Sequence, residues 1–281
     1  MHTSALADHP VEELLDHHED GTTISVCLPA RNEAATVGLV VARIVDELTV
    51  RHPLVDEVIV VDDGSTDATV AVARAAGAVV VSASDVLPEC GPATGKGEAM
   101  WKALAASSGD VVVWCDADVR DFDPRFVTGL LGPLLGDSSV GFVKACYRRD
   151  LDGRPGEGGR VTELVARPLL RLLFPHLVGF AQPLAGECAG RRSVLEQLPF
   201  APGYGVDLAL LVDVAAHLGV EAMAQVDLGH RSHRNRPLHE LAPQAEAVLA
   251  VALARAASEP SSVLSGWRPP LVEVAAYRTQ G

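Results

Sequence analysis

Four short polar stretches carry the residue types that bind and neutralise phosphates. Asp116-Ala117-Asp118 follows the apolar run Val111–Cys115. Residues two apart on an extended segment point to the same side, so these two carboxylates are expected to face one ion or one proton. A divalent cation held by one or two carboxylates acts as a Lewis acid toward a departing diphosphate. Asp62-Asp63-Gly64-Ser65-Thr66-Asp67 follows a second apolar run. Gly64 permits a tight bend, and Thr66 or Asp67 can cap a following helix. Asp62 and Asp63, adjacent despite their mutual repulsion, can accept hydrogen bonds from a base or ribose. Gly95-Lys96-Gly97-Glu98 lacks the spacing of a P-loop, yet a lysine between glycines at a helix start can meet a phosphate or ribose oxygen. Pro29-Ala30-Arg31-Asn32-Glu33 contains no glycine, which argues against a nucleotidylyltransferase. Each stretch has a bland reading as a solvated acidic loop or a helix cap; their common placement does not.

That placement comes from the elements before them. Thr23–Leu28, Glu57–Val61, Ala78–Val81 and Val111–Cys115 read as buried strands. Ala34–Leu48, Ala68–Ala76 and Gly95–Ser107 between them read as helices. Apolar strands alternating with helices predict a mostly parallel sheet covered on both faces, whose ligands bind beyond the carboxyl ends of the strands. Three of the polar stretches stand directly at such ends. Further on, Asp150–Gly159 reads as a loop, Val161–Leu173, Val206–His217 and Leu238–Ala256 as helices, and Met223–Val226 as a short strand. The expected organisation is a flexible leader at 1–21, a nucleotide-sugar-binding half at 22–150, an acceptor-binding half at 151–258 and an uninformative tail at 259–281.

A net charge of −14 speaks against a nucleic-acid partner. Residues 141–240 are nevertheless close to neutral and rich in arginine, as a local anion site requires. The five cysteines form no C-x-x-C pair, which fits buried thiols in a reducing cytoplasm better than a disulfide framework or zinc site. The first residues lack the basic and apolar regions of a signal peptide. The stretch Leu164–Leu184 is interrupted by Arg167, Pro168, Arg171 and Pro175, so no membrane partner is expected.

In order, Pro29-Ala30-x-Asn32-Glu33, Asp62-x-Gly64-Ser65-x-Asp67, Gly95-Lys96-Gly97 and Asp116-x-Asp118 resemble the nucleotide-binding half of GT-A glycosyltransferases over about residues 23–150. Gly159-Arg160-Val161-Thr162-Glu163-Leu164, Pro183-Leu184-Ala185-Gly186-Glu187, Tyr204-Gly205-Val206-Asp207 and His233-Arg234-Asn235-Arg236-Pro237-Leu238 narrow the resemblance. They are similar to the glucosyl-3-phosphoglycerate synthases, retaining enzymes of glycosyltransferase family 81. The resemblance implies a GT-A α/β fold and glucose transfer from a nucleoside diphosphate donor, UDP-glucose favoured, to the 2-hydroxyl of 3-phosphoglycerate; the alternatives are mannosyl transfer to the same acceptor, or an inverting GT-A transferase acting on a lipid phosphate or polysaccharide. It implies Mg2+, with Mn2+ or Co2+ able to substitute, a homodimer, and a product used in methylglucose lipopolysaccharide or compatible-solute pathways.

Position by position, the resemblance puts Pro29, Ala30, Asn32, Glu33, Asp62, Asp63, Ser65, Lys96, Asp116 and Ala117 around the donor nucleotide. It puts Asp118, with Asp116 near, and His233 on the metal. Gly159, Arg160, Thr162, Arg231 and Asn235 fall to the phosphoglycerate, and Leu184, Gly186, Glu187, Tyr204 and Asp207 to the sugar and acceptor hydroxyl. Asp118, Asp207, Glu187 and Lys96 are the candidates for catalysis. The planar forks of Arg160 and Arg231 suit a phosphate and a carboxylate. Two positions depart from the family pattern: Asp207 stands where Glu is expected, and Arg31 replaces an apolar residue beside the base-binding turn.

Overall fold

The apolar runs become strands of one sheet. A computed structural model describes the chain except residues 19–20, 93, 150–157, 232–236, 258–266 and 279–281, and except the side chains of 17, 18, 149, 231 and 238. The strands are β1 (His2–Ala5), β2 (Ile24–Ala30), β3 (Glu57–Asp62), β4 (Val79–Ser82), β5 (Val111–Trp114), β6 (Phe142–Arg149), β7 (Cys188–Arg191) and β8 (Met223–Arg231). The helices are α1 (Val11–His18), α2 (Val37–Ile44), α3 (Thr69–Ala75), α4 (Lys96–Ala106), α5 (Arg125–Gly136), α6 (Arg167–Leu173), α7 (Arg192–Leu195), α8 (Val206–Leu218), α9 (Leu238–Ala256) and α10 (Ala275–Arg278). The sheet order is β1-β8-β6-β7-β5-β2-β3-β4. All neighbours are parallel except β7, which opposes both β5 and β6.

Strand alternation divides the core between the two faces. Cys27, Ile59, Val112, Trp114 and Phe142 pack under α4, α6, α8 and α9. Ile24, Val26, Val58, Val113 and Val143 pack under α1, α2, α3 and α5. Burying each such aliphatic side chain contributes roughly 1.5–3 kcal/mol. With both faces covered, polar groups are accommodated at strand ends, and seven strands end at the same edge.

The antiparallel β7 brings its starting residues to that edge instead. Gly186 and Glu187, just before it, therefore lie beside the residues that follow β5. Leu184–Glu187 could not be placed there by any rule of parallel alternation.

The start of the chain corrects an expectation. In place of a disordered leader over 1–21, His2–Ala5 pair in parallel with Ala224–Asp227 of β8. Helix α1 lays Leu14, 3% exposed, into the core beside α5. The leader's polarity hid this because a short edge strand is held by backbone hydrogen bonds, which need no apolar pattern. Strand β8 also runs on to Arg231, well past the expected Val226. No helix among the described residues is long and apolar enough to cross a membrane.

Candidate active site

The loops after β2 and β3 are tied to one another by their polar side chains. Asn32 takes a left-handed backbone, φ 57°, a conformation Asn tolerates better than most residues. Its amide donates to Ser65 Oγ at 2.9 Å, and its own Oδ1 accepts from the Thr66 amide at 2.8 Å. The Glu33 amide donates to Thr69 Oγ1 at 2.8 Å. Pro29 and Ala30 end β2, where Ala30 pairs with Asp62.

Asp62 and Asp63 are both buried, and successive residues turn them to different tasks. Asp62 accepts the Ser65 amide at 3.2 Å on each oxygen, closing the turn. Asp63 accepts the Gly95 amide at 2.8 Å and pairs with Arg31 at 3.5 Å. Their adjacency, puzzling in the sequence, is resolved by separate partners.

Lys96 joins the two halves of the chain. Its Nζ lies 3.1 Å from Asp116 Oδ1 and 3.1 Å from Asp207 Oδ2. Burial works against its charge, but Asp116 and Asp207, with Glu187 farther off, outweigh that and hold the amine well above its ordinary value. Lys96 is thus a permanent cation. Gly186 allows this approach: a Cβ there would collide with the Asp116 carboxylate. Gly97 is equally constrained, since a Cβ would meet the carbonyl oxygen of Ala201.

Asp207 opens α8 with 7% of its side chain exposed. One of its oxygens binds Lys96, while Oδ1 is buried with no hydrogen-bond partner among the described residues. An unsatisfied buried acceptor costs about 1–3 kcal/mol, so this oxygen is set to accept a donor from a ligand. Glu187 is 1% exposed, and its carbonyl accepts the Ala145 amide at 3.1 Å. Tyr204 sits in the short turn before α8 and is 42% exposed. Leu184 is partly buried against the α4 face of the core.

Sequence reasoning passed over Lys144. It is 1% exposed on β6, opposite Cys188, and donates to the Asp207 carbonyl at 3.1 Å. A lysine inside the apolar run Phe142–Cys146 was its visible signal.

One expectation is corrected by geometry. Strand β5 ends at Trp114, and Ala117 and Asp118 lie in a turn, so the alternation invoked for Asp116 and Asp118 does not extend to them. Asp116 turns to Lys96, and Asp118 stays partly exposed at the rim. Ala117 is 2% exposed and its methyl belongs to the core, which leaves only its backbone for a ligand.

In the half expected to hold the acceptor, Gly159 (φ 74°) precedes a helical turn that runs on through α6. Arg160 is partly buried there and Thr162 is 2% exposed. Arg231 ends β8 at the site edge, but its side chain, like His233 and Asn235, lies outside the described residues. Among the described residues, no three His, Cys, Asp or Glu groups converge as a metal cage.

Residues 25–198 match the model for glycosyl transferase family 2. The chain is 52% identical over 253 residues to the glucosyl-3-phosphoglycerate synthase of Mycolicibacterium smegmatis, covering 89% of this chain and 82% of that protein. It belongs to this family of glycosyltransferases. The glucosyl-3-phosphoglycerate synthase of Mycobacterium tuberculosis, solved with Mn2+, UDP-glucose and phosphoglyceric acid, superposes with a TM-score of 0.87 at 45% identity. That match covers 97% of this chain and 98% of the other. Mannosyl-3-phosphoglycerate synthase from Rubrobacter xylanophilus superposes at 0.89 with 39% identity, covering 97% of each chain. A family member thus has the GT-A-type sheet, with Lys96, Asp116, Gly186 and Asp207 brought together at its edge.

Proposed function

We propose that this chain transfers glucose from UDP-glucose to the 2-hydroxyl of 3-phosphoglycerate with retention, releasing UDP and glucosyl-3-phosphoglycerate. The observation that carries the reading is the Lys96 bridge. In a chain so similar to known synthases, it locks the nucleotide half, through Asp116, to the acceptor half, through Asp207, at the edge where both sets of loops end.

The loops at Pro29–Glu33 and Asp62–Ser65, already cross-linked, form the bed for base and ribose. Lys96 holds positive charge beside the position where negative charge grows on the departing diphosphate, a preorganised electrostatic contribution. Asp207, through its partnerless Oδ1, accepts a sugar hydroxyl, with Glu187 and Leu184 beside it. Gly159, Arg160, Thr162, Arg231 and Asn235 take the phosphate and carboxylate of the acceptor. The acceptor hydroxyl attacks from the face the diphosphate leaves, and its proton passes to a diphosphate oxygen.

The residues also fit a hard divalent cation. Such ions use one or two carboxylates and complete their shell with substrate phosphates and water, so a full protein cage is not required. Asp118, with Asp116 near and His233 as the expected imidazole, would hold Mg2+, or Mn2+ or Co2+ in its place. When bound, the ion supplies charge neutralisation to the diphosphate. Five cysteines outside any disulfide support a reducing cytoplasm, and the family resemblance supports a homodimer and a role in methylglucose lipopolysaccharide synthesis.

The test is incubation with Mg2+, 3-phosphoglycerate and, separately, UDP-glucose, GDP-glucose, ADP-glucose and GDP-mannose, reading product mass, freed nucleotide and anomeric proton signals. A phosphoglycerate-dependent release of UDP with an α-glucoside product is expected. Release independent of phosphoglycerate, or a β-linked product, would overturn the reading. A mannosyl product is the second reading, favoured by the likeness to the Rubrobacter mannosyl enzyme.

A further inference from the structure

The tail beyond residue 259, uninformative in the sequence, sets one guanidinium against the back of the donor loop. Arg268 donates from Nε and Nη2 to the two Glu98 oxygens at 2.6 and 2.8 Å. Its Nη2 also reaches the Gly91 carbonyl at 2.8 Å, and Nη1 the Cys90 carbonyl. The guanidinium lies 5.5 Å from the centre of the Trp101 ring. Its main chain pairs in both directions with that of Phe200 at 3.2 Å.

These partners lie before Lys96 in the chain, after it, and on the segment its flanking glycines pack against. Cys90 and Gly91 begin the loop that leads into Gly95 and Lys96. Glu98, 3% exposed, stands two residues after Lys96 in the first turn of α4. Phe200 leads directly into Ala201–Gly203, the wall against which Gly95 packs closely and Gly97 packs with no space for a larger residue. Arg268 therefore ties together the segment before Lys96, the turn after it and the wall facing it. Glu98 also pairs with Lys102 at 3.2 Å, but an ammonium cannot span two carboxylate oxygens and two carbonyls as a planar fork does.

We propose that Arg268 is a positioning residue for donor binding, which holds Lys96 in register with Asp116 and Asp207 through Glu98 and the Cys90 and Gly91 carbonyls. The proposal rests on reading Lys96 as part of the donor site. Arg268 does not touch the substrate; it fixes the segment that does.

Arg255 gives a matched control. It makes a bidentate pair with Asp213 at 2.5 and 2.7 Å and lies 4.0 Å over the Trp267 ring. It thus secures the same tail to α8 without engaging α4 or the loop before it.

The experiment compares full-length Arg268→Ala, Arg268→Lys and Arg255→Ala with the parent protein. Thermal midpoints and KM for UDP-glucose and for 3-phosphoglycerate are measured well below each midpoint. Both Arg268 variants are expected to raise the donor KM about fivefold or more while the acceptor KM stays within about twofold, because the lost contribution is ground-state donor placement. Arg255→Ala is expected to lower the midpoint and leave the donor KM within about twofold. If Arg268→Ala fails to fold, Arg268→Lys carries the test. A folded Arg268 variant with an unchanged donor KM, or an equal rise in Arg255→Ala, overturns the proposal. An inactive parent in the same assay overturns the functional reading instead.

Discussion

The two sides of the site are built by different means. On the side proposed for the nucleotide, Asn32, Asp62, Asp63 and Ser65 stand at or just beyond the ends of neighbouring parallel strands, and their hydrogen bonds join the two loops there and the start of α4. On the acceptor side, Gly186 and Glu187 arrive on the reversed strand β7, Asp207 on a helix start, and Arg160 beside a π-helical turn. The first side is held by hydrogen bonds between side chains and amides of adjoining loops, the second by packing and charge across longer sequence separations.

The largest effect should come from the rim of the nucleotide side. Asp118→Ala is expected to lower turnover by ~10²-fold or more if the cation contributes several kcal/mol at the transition state. Near-normal activity after exhaustive chelation would break the comparison at its root. At the junction of the two sides, Gly186→Ala pushes a methyl into the Asp116 carboxylate. Overpacking of this sort costs about 1–3 kcal/mol, so a fall in kcat of roughly 10-fold or more is expected with the fold intact by circular dichroism. Unchanged kcat would mean that Asp116 and Lys96 can separate without consequence.

A more selective effect is expected from the acceptor side. Arg160→Ala should raise the 3-phosphoglycerate KM about 10-fold, the scale of one charge-assisted contact, with the UDP-glucose KM preserved. Equal changes in both constants would show that the two sides are not separable.

The smallest effect concerns the sheet beneath both. Cys27 on β2 and Cys188 on β7 are pushed up to about 12 by burial. An unfolded thiol ionises near pH 9, so the folded state keeps its full stability below that pH and loses it as pH rises toward 12. The loss should approach about 1 kcal/mol per thiol at pH 10. Urea midpoints at pH 7, 9 and 10 would register it, and Cys27→Ala or Cys188→Ala should each flatten the decline. A decline unaltered by either substitution would assign it to other groups.

Legibility follows the same division. Strands β2, β3 and β5 and the loops after them could be read because a buried parallel strand is a continuous apolar run and its polar end is abrupt. Strands β6 and β7 and helix α5 were not recognised. The starting strand β1 was read as disorder because its pairing is made by backbone. Lys144 and Arg268 escaped because nothing near them in the chain indicates what they meet. The alternation that singles out Asp116 and Asp118 does not reach them, since β5 stops before either one.

The alternation of apolar runs and polar strand ends, and with it the parallel edge proposed for the nucleotide, is written in the chain itself. These are properties of segments a few residues long, where side-chain periodicity and turn chemistry act locally. Only the tertiary structure decided that β7 would run backwards, that Lys96 would lie between Asp116 and Asp207, and that Arg268 would reach Glu98 from 170 residues away. Those contacts join residues far apart in the chain, and their partners are chosen by the packing of the whole sheet and its helices.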